Sequence, residues 1–322
     1  MNLKLLFACP NCYSELEKYE NYFLCLECCK VKETYFPIFD DIPVFMTGTK
    51  TDKNQKFWDE GWKNRRDNTD FTFVKISDNE FKTIIKKNME LTEQDERPLY
   101  FLKARKEDVI LNIGCGLSEA SGFAELGYNN YIGLDFSFTA ASGSQKNVRR
   151  YNNNAITAQA NAEQLPIKSR SIDVIYSSGV LHHTPNITET LREISRVMKN
   201  DGHAVIGLYN FESPKFIMAR LKGFLHDIKN SNAHKWYEQT ETSWQTNDNL
   251  NPWTRAFKKR EIKEIFSEAN FKNILIHKTN FQWGDSVPII GKYISKIKFP
   301  KIFKSFLRRR FGSMWVVIAR KN

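Results

Sequence analysis

From about Pro98 onwards, short runs of β-branched or aromatic residues alternate with segments of helical length. The runs read DVILNIG, NYIGLDF, AITAQA, IDVIYSS and HAVIGLY. This alternation is typical of βαβ units, because two neighbouring parallel strands need a long crossover between them. The sequence therefore predicts an α/β fold, in which helices cover both faces of a parallel sheet.

The first of these runs ends in a glycine-rich turn, LNIGCGLSEA at residues 111–120. A P-loop needs Gly-Lys-Ser/Thr at its end, and Gly116 is followed instead by Leu117 and Ser118. A dinucleotide fingerprint needs a third glycine where Glu119 stands, and a carboxylate there would repel a diphosphate. The turn therefore fits neither of these phosphate-binding loops.

The second run ends in Asp135, nineteen residues after Gly116. A carboxylate at the carboxyl end of such a strand can accept hydrogen bonds from both ribose hydroxyls of an adenosine. The site therefore suits an adenosine ligand without a diphosphate. S-adenosylmethionine meets this description, and a nearby carboxylate would not repel its sulfonium and ammonium groups.

These motifs together resemble a known family. VILNIGCG is similar to motif I of the class I S-adenosylmethionine-dependent methyltransferases, and YIGLDFS is similar to their motif II. The segment ANAEQLPIKSRSIDVIYSSGVLHHTPNITETLREISRVMKNDGHAVI resembles the rest of a type 11-like methyltransferase core. The resemblance covers residues 98–210. It implies a Rossmann-like seven-stranded sheet whose last strand inserts antiparallel between the fifth and sixth, and it specifies no substrate.

The resemblance also implies the residues that bind the cofactor. The glycines lie under its methionine part, Asp135 holds the ribose, and residues 161–163 read the adenine edge. Three positions depart from the family pattern: Asn112 and Asn161 replace aspartate, and Ser118 replaces a third glycine. The cofactor-binding residues implied are Asn112, Gly114, Cys115, Gly116, Asp135, Phe136, Asn161, Ala162, Glu163 and Ser178.

Candidate catalytic residues follow two of the predicted strands. Methyl transfer requires a base only where the acceptor atom must lose a proton. His182 and His183 follow the fourth strand, and Tyr209 ends the fifth, so each could orient or deprotonate an acceptor. The alternative for the histidine pair is a purely structural turn.

Five of the six cysteines lie in the first 46 residues. Cys9-x2-Cys12 and Cys25-x2-Cys28 are two knuckles that can hold a structural Zn²⁺ in a tetrahedron of thiolates, although Cys29 competes with Cys28 as the fourth ligand. The alternative is a set of buried free cysteines. This segment also resembles the small zinc ribbons that precede bacterial methyltransferase domains.

The chain divides into three predicted parts. Residues 1–46 form the zinc ribbon, residues 47–97 form a linker and N-terminal helices, and residues 98–322 form the methyltransferase domain. A helical lid is predicted at 211–257, where four residues are candidates to line a pocket: His234, Trp236, Trp244 and Arg255.

The net charge of +11 is unevenly distributed. Residues 1–46 carry four Lys against seven Asp or Glu, which argues against a nucleic-acid clamp. Residues 289–322 carry ten Lys or Arg and no acidic residue. The apolar residues of the basic segment 289–310 recur as on an amphipathic helix, which could contact an anionic membrane surface or RNA.

We expect a cytoplasmic methyltransferase, because the chain has neither a recognisable signal peptide nor an apolar run long enough to span a bilayer. The expected acceptor is an O or N atom of a small molecule: a sugar, a lipid-linked intermediate or a natural product. Two alternatives stay open, an rRNA or tRNA methyltransferase and an inactive cofactor-fold scaffold. No stable protein partner is implied.

Overall fold

The computed structural model describes residues 2–46, 53–68, 76–94, 97–151, 154–218, 254–281 and 299–321. A small antiparallel sheet comes first, with its strands in sequence order. The strands are β1 (Glu17–Lys18), β2 (Tyr22–Leu24), β3 (Tyr35–Phe39) and β4 (Ile42–Pro43).

The main sheet has seven strands in the order β10-β11-β9-β8-β5-β6-β7. Strands β5 to β9 are parallel to one another, and β11 lies antiparallel between β9 and β10. This topology confirms the predicted Rossmann-like methyltransferase sheet. The bounds are β5 (Ile110–Ile113), β6 (Tyr131–Asp135), β7 (Ile156–Gln159), β8 (Ile172–Ser178), β9 (Met198–Tyr209), β10 (Asn273–Thr279) and β11 (Met314–Arg320).

Several helices begin at side chains suited to capping. Ser137 and Asn186 accept hydrogen bonds from backbone N–H groups in the first turns of α5 and α6. The helices are α1 (Leu26–Cys29), α2 (Lys53–Asn68), α3 (Asp78–Gln94), α4 (Glu119–Glu125), α5 (Phe138–Val148), α6 (Ile187–Val197), α7 (Lys259–Glu268) and α8 (Lys301–Phe311). Short 3-10 helices cover Leu3–Leu6, Pro98–Phe101, Arg149–Tyr151 and Leu181–His183.

The main sheet is buried on both faces. Successive side chains of a strand point to opposite faces, so the residues of β5 divide between two hydrophobic clusters. Leu111 packs in a cluster with Ile194 of α6, and Ile110 packs in another with Phe123 of α4. Burial on both faces explains why the strands read as nearly continuous apolar runs.

The N-terminal sheet packs directly on the methyltransferase core. Phe7 forms an antiparallel bridge with Ile167, and Val44 forms a parallel bridge with Gln159 at the end of β7. The Phe45 N–H donates to the Gln159 carbonyl at 2.8 Å. Phe7 and Phe45 belong to the same hydrophobic cluster as the strands of the main sheet.

Among the helices of the described ranges, none combines the length and the apolarity that crossing a bilayer requires.

Candidate active site

The turn after β5 approaches its neighbours too closely for side chains. Gly114 and Gly116 have φ angles of +79° and +54°, which favour glycine. A Cβ on Gly114 would lie 2.2 Å from a methyl carbon of Val180, and one on Gly116 would lie 3.0 Å from the Trp62 ring. The glycines therefore keep this turn open at the end of the sheet.

Asp135 fastens the same turn to the end of β6. One carboxylate oxygen accepts from the Gly116 N–H at 3.0 Å, and the other accepts from the Ser137 N–H at 2.9 Å. Burial raises the pKa of Asp135 to about 6, although these backbone donors act in the opposite direction. Each carboxylate oxygen has two lone pairs, so the group can still accept hydroxyl donors from a ligand.

A second carboxylate lies at the start of α4. The Asn112 side-chain amide donates to Glu119 at 2.7 Å and to the Tyr131 hydroxyl at 2.9 Å. Desolvation raises the pKa of Glu119 to about 8, and the charge of Asp135 adds to this effect. In the sequence, Glu119 stands out only as an obstacle to diphosphate. In the structure, it lines a cavity at the end of the sheet.

A cavity of about 670 Å³ opens where these strands end. Of the ten implied cofactor residues, Asn112 and Cys115 lie outside its lining: Asn112 is fully buried behind Glu119, and the Cys115 side chain packs beside Gly133. The other eight line the cavity, namely Gly114, Gly116, Asp135, Phe136, Asn161, Ala162, Glu163 and Ser178.

The predicted adenine side of the cavity is held by internal hydrogen bonds. The Asn161 side-chain oxygen accepts from the Glu163 N–H at 3.0 Å. The Glu163 carboxylate in turn accepts from the Asn186 N–H at 2.6 Å. The loop is therefore ordered by its own polar groups, and the assignment of these residues to adenine stays a prediction.

The two histidines occupy different environments. The His182 ring stacks on Tyr209, with ring centroids 3.7 Å apart, and neither of its nitrogens has a hydrogen-bond partner among the described residues. Burial lowers the pKa of His182 well below its usual value. His183 lines the cavity, and its Nδ1 lies 3.1 Å from the Thr254 hydroxyl. Tyr209 also lines the cavity.

Helix α2 forms a wall of the cavity. Trp58, Trp62 and Arg65 line it from this helix, and the Trp58 ring lies 5.0 Å from the His183 ring. The Asp59 carboxylate anchors the helix, because it accepts from the Ser137 hydroxyl at 2.6 Å. The signal in the sequence was FWDEGWKNRR, which puts two tryptophans one helical turn apart.

The four cysteines of the two knuckles lie together, as the spacing predicted. The sulfur atoms of Cys9, Cys12, Cys25 and Cys28 all lie within 4.8 Å of one another. The shortest separations are 3.4 to 3.6 Å, compared with the edge of about 3.8 Å that zinc–sulfur bonds of about 2.3 Å imply for a tetrahedron. Cys29 lies apart, and its sulfur accepts from the Thr34 N–H at 3.2 Å.

The predicted lid is described only at its two ends. His234, Trp236 and Trp244 lie outside the described residues. Arg255 is absent from the cavity lining, and its guanidinium lies 3.3 Å from Glu261. The Arg255 N–H donates to the His182 carbonyl at 2.9 Å, so this end of the lid positions the histidine turn.

Comparison with known proteins agrees with the architecture. A family model described as "Methyltransferase domain" matches residues 111–206. An uncharacterized protein of Methanocaldococcus jannaschii, MJ1252, is 30% identical over 228 residues, which are 70% of this chain and 81% of the relative. The demethylmenaquinone methyltransferase of Lactobacillus johnsonii is 26% identical over 212 residues, which are 60% of this chain and 80% of that enzyme.

Solved structures share the fold at low sequence identity. A chain from the complex between the Haloferax volcanii Trm112 methyltransferase activator and a putative methyltransferase superposes with a TM-score of 0.52 and 14% identity, covering 85% of this chain and 99% of that one. Geranyl diphosphate C-methyltransferase from Streptomyces coelicolor A3(2) superposes with a TM-score of 0.51 and 15% sequence identity, covering 84% of this chain and 98% of that one. The methyltransferase family model over residues 111–206 and the 30% identity with the relative from Methanocaldococcus jannaschii, together with the strand order, show that the chain belongs to the class I S-adenosylmethionine-dependent methyltransferases.

Proposed function

We propose that this methyltransferase transfers a methyl group to an oxygen or nitrogen atom of a small molecule, such as a sugar, a lipid-linked intermediate or a natural product. The observation that carries this proposal is the wall formed by α2. Trp62 covers the glycine turn at Gly116, Trp58 lies beside His183, and both line a cavity of about 670 Å³, within the range of small-molecule sites. The relative from Lactobacillus johnsonii is also named for a small-molecule acceptor, demethylmenaquinone.

The residues of the cavity fit S-adenosylmethionine. Asp135 retains acceptor capacity for ribose hydroxyls, and Glu119 presents a carboxylate whose ionisation a cationic ligand would favour. When bound, the cofactor supplies a methyl group that its positive sulfur makes electrophilic. The chain then has to hold the acceptor in line and to exclude water.

His183 and Tyr209 are the proposed groups on the acceptor side. His183 meets the cavity and is held through Thr254, so its ring is oriented for hydrogen bonding or for accepting a proton. His182 has no comparable access, because its ring is buried under Tyr209. We therefore assign His182 to positioning Tyr209 and assign the proton-accepting role to His183.

We also propose a structural Zn²⁺ held by Cys9, Cys12, Cys25 and Cys28. The four sulfur atoms all lie within 4.8 Å of one another, and a site closed by four thiolates leaves no open position for substrate. The ion would stabilise a segment with few strands and a small core of its own.

The test is methyl transfer from labelled S-adenosylmethionine into a fractionated extract of the source organism. We expect label in the small-molecule or lipid fraction with the purified full chain. Asp135→Ala should abolish it, because the ribose ligand and the anchor of the glycine turn are lost together. The matched control is Asp201→Asn, which changes an exposed carboxylate away from the cavity.

The other outcomes separate the alternatives. Label in RNA would contradict the proposed acceptor and favour the rRNA or tRNA methyltransferase. A chain that neither transfers label nor binds S-adenosylhomocysteine in a calorimetric titration would favour the inactive scaffold.

A further inference from the structure

Helix α8 turns apolar side chains away from the protein. Ile302 is 87% exposed, Phe306 is 57% exposed and Phe303 is 39% exposed, whereas Leu307 is buried. Positions 302, 303 and 306 share one face of a helix. A helix that only covers a protein core buries its apolar face. In α8, part of the apolar face points instead to the surface.

The same face is bordered by positive charge. The helix reads KIFKSFLRRRF, with five Lys or Arg and no Asp or Glu. Lys301, Lys304, Arg309 and Arg310 are exposed. The potential surface ligand is therefore anionic, and it must also accept exposed aliphatic and aromatic side chains.

We propose that α8 docks on the surface of an anionic lipid bilayer. Lipid phosphates would meet the cations, while Ile302 and Phe306 would enter the boundary between headgroups and acyl chains. RNA phosphates would satisfy the same cations, but an aliphatic side chain such as Ile302 gains little from a phosphate backbone. The combination of charge and exposed apolar tips therefore favours the bilayer.

The position of α8 links this surface to the cavity. The helix is followed by Gly312, whose carbonyl accepts from the Asn210 amide at 2.7 Å, and by Ser313, whose hydroxyl donates to the Asn280 carbonyl at 2.7 Å. Asn280 and Ser313 both line the cavity. Docking would thus bring the cavity rim close to lipid, which suits an acceptor with a lipid part; this last step rests on the proposed function.

The experiment is co-sedimentation of the full chain with vesicles. One set contains phosphatidylcholine alone, and the other contains phosphatidylcholine and phosphatidylglycerol in equal parts. We expect binding to the anionic vesicles only. Binding should fall as the ionic strength rises from about 0.1 M to about 1 M, because the Debye length shortens from about 10 Å to about 3 Å.

Two pairs of substitutions separate the contributions. Lys301→Gln with Lys304→Gln should weaken partitioning about 25-fold, since each cation near such a surface contributes about fivefold. Ile302→Ser with Phe306→Ser should weaken it at least about tenfold through lost apolar insertion. The matched controls are Lys86→Gln with Lys87→Gln on α3 and Val31→Ser in the turn between α1 and β3, all exposed, and they should bind like the unmodified chain.

Three results would overturn the proposal: equal binding to both vesicle types, no binding to either, or full binding by the Ile302→Ser, Phe306→Ser chain. Tighter binding to a single-stranded RNA at the same salt, unchanged by those two substitutions, would also overturn it in favour of RNA. A calorimetric titration with S-adenosylhomocysteine is run on the same samples. Cofactor binding without vesicle binding would refute this proposal alone, and vesicle binding without cofactor binding would refute the proposed function alone.

Discussion

At the scale of single residues, the second buried acidic group of the cavity, Glu119, lies on a helix rather than at a strand end. Asn112 stands where related enzymes usually have aspartate, and it donates its amide to Glu119 at the start of α4. An ionised carboxylate in a desolvated position is costly without a cation beside it. The raised pKa of Glu119 reflects this desolvation, and a cationic ligand beside the carboxyl group would favour its ionised form.

We predict that binding of S-adenosylhomocysteine is linked to ionisation of Glu119. The pKa of about 8 in the free protein leaves the carboxyl mostly protonated at about pH 7, and pairing with the ligand's α-ammonium favours the ionised form. Binding should then release a proton at about pH 7, and affinity should rise with pH until the ligand's own amine deprotonates. Calorimetry in buffers with different ionisation enthalpies measures this release.

Glu119→Gln should remove the proton release and weaken binding about tenfold, as expected when a hydrogen-bonded charge is lost. Methylthioadenosine is the control ligand, because it lacks the amino-acid part and should bind both proteins equally. Asp135, with a pKa of about 6, is already largely ionised at about pH 7 and contributes little to the linkage. Unchanged proton release in Glu119→Gln would contradict the prediction.

The adjacent histidines should respond differently to substitution. His183→Ala should lower kcat on the labelled acceptor fraction by about 100-fold or more, the usual effect of losing a general base, with little change in affinity for S-adenosylhomocysteine. His182→Ala should instead lower the melting temperature, because its stacked ring fills the space beneath Tyr209. Kinetics, calorimetry and thermal melts on both variants check this division. Equal kinetic losses would contradict this division of roles between the two histidines.

Local motifs predicted part of the site and could not predict the rest. Gly114, Gly116 and Asp135 were identifiable because a strand, a turn and the next strand fix their positions through short stretches of chain. Glu119 and Trp62 were not assigned to the cavity, since their roles depend on contacts between elements. The Trp62 ring meets Gly116 across more than fifty residues of sequence, and no local pattern encodes that distance.

At the scale of elements, α2 is the least expected contributor. The sequence predicted a linker and N-terminal helices at residues 47–97, without assigning them to the cavity. The helix is fixed because Asp59 accepts hydrogen bonds from the Ser137 hydroxyl and from the Thr139 N–H, both at the start of α5. Its anchoring explains how Trp62 reaches the glycine turn and how Trp58 reaches His183.

Shortening the side chain of Trp62 should therefore uncover the cofactor. We predict that Trp62→Ala weakens S-adenosylhomocysteine binding about tenfold, through lost apolar contact and access of water to the turn. Trp62→Phe is the matched control. It keeps an aromatic ring over the turn, so its affinity for S-adenosylhomocysteine should fall much less. Calorimetric titrations decide between them, and an unchanged affinity in Trp62→Ala would show that α2 covers only the acceptor.

The strands were the elements that the sequence predicted best. Their apolar runs are nearly continuous because helices cover both faces, and the reversed β11 followed from the family resemblance rather than from periodicity. Residues 289–298 of the predicted basic helix lie outside the described residues, and the rest of the segment is mostly the helix α8 at Lys301–Phe311. Its exposed apolar face could not be predicted, since periodicity marks an apolar face without saying whether that face is buried.

At the scale of the whole molecule, the cysteine-rich segment and the methyltransferase domain share one hydrophobic cluster. Charged contacts join them as well, with Arg149 lying 2.9 Å from Asp41 and Lys168 contacting Glu15. These pairs are largely exposed and contribute little, so the aromatic packing around Phe7 and Phe45 dominates the attachment. Order in the N-terminal sheet should therefore affect the stability of the whole chain.

Loss of the metal should consequently destabilise the molecule as one unit. We predict one zinc per chain by elemental analysis, and a chelator should lower the melting temperature of the entire calorimetric transition rather than remove a separate early peak, because the two parts share a core. Cys28→Ser should lose the metal and show the same fall. Cys29→Ser is the matched control, since its sulfur lies outside the cluster and contacts Thr34 instead. Loss of zinc in Cys29→Ser, or full zinc retention in Cys28→Ser, would make Cys29 the fourth zinc ligand in place of Cys28. A main transition unaffected by the chelator would show that the N-terminal sheet unfolds independently.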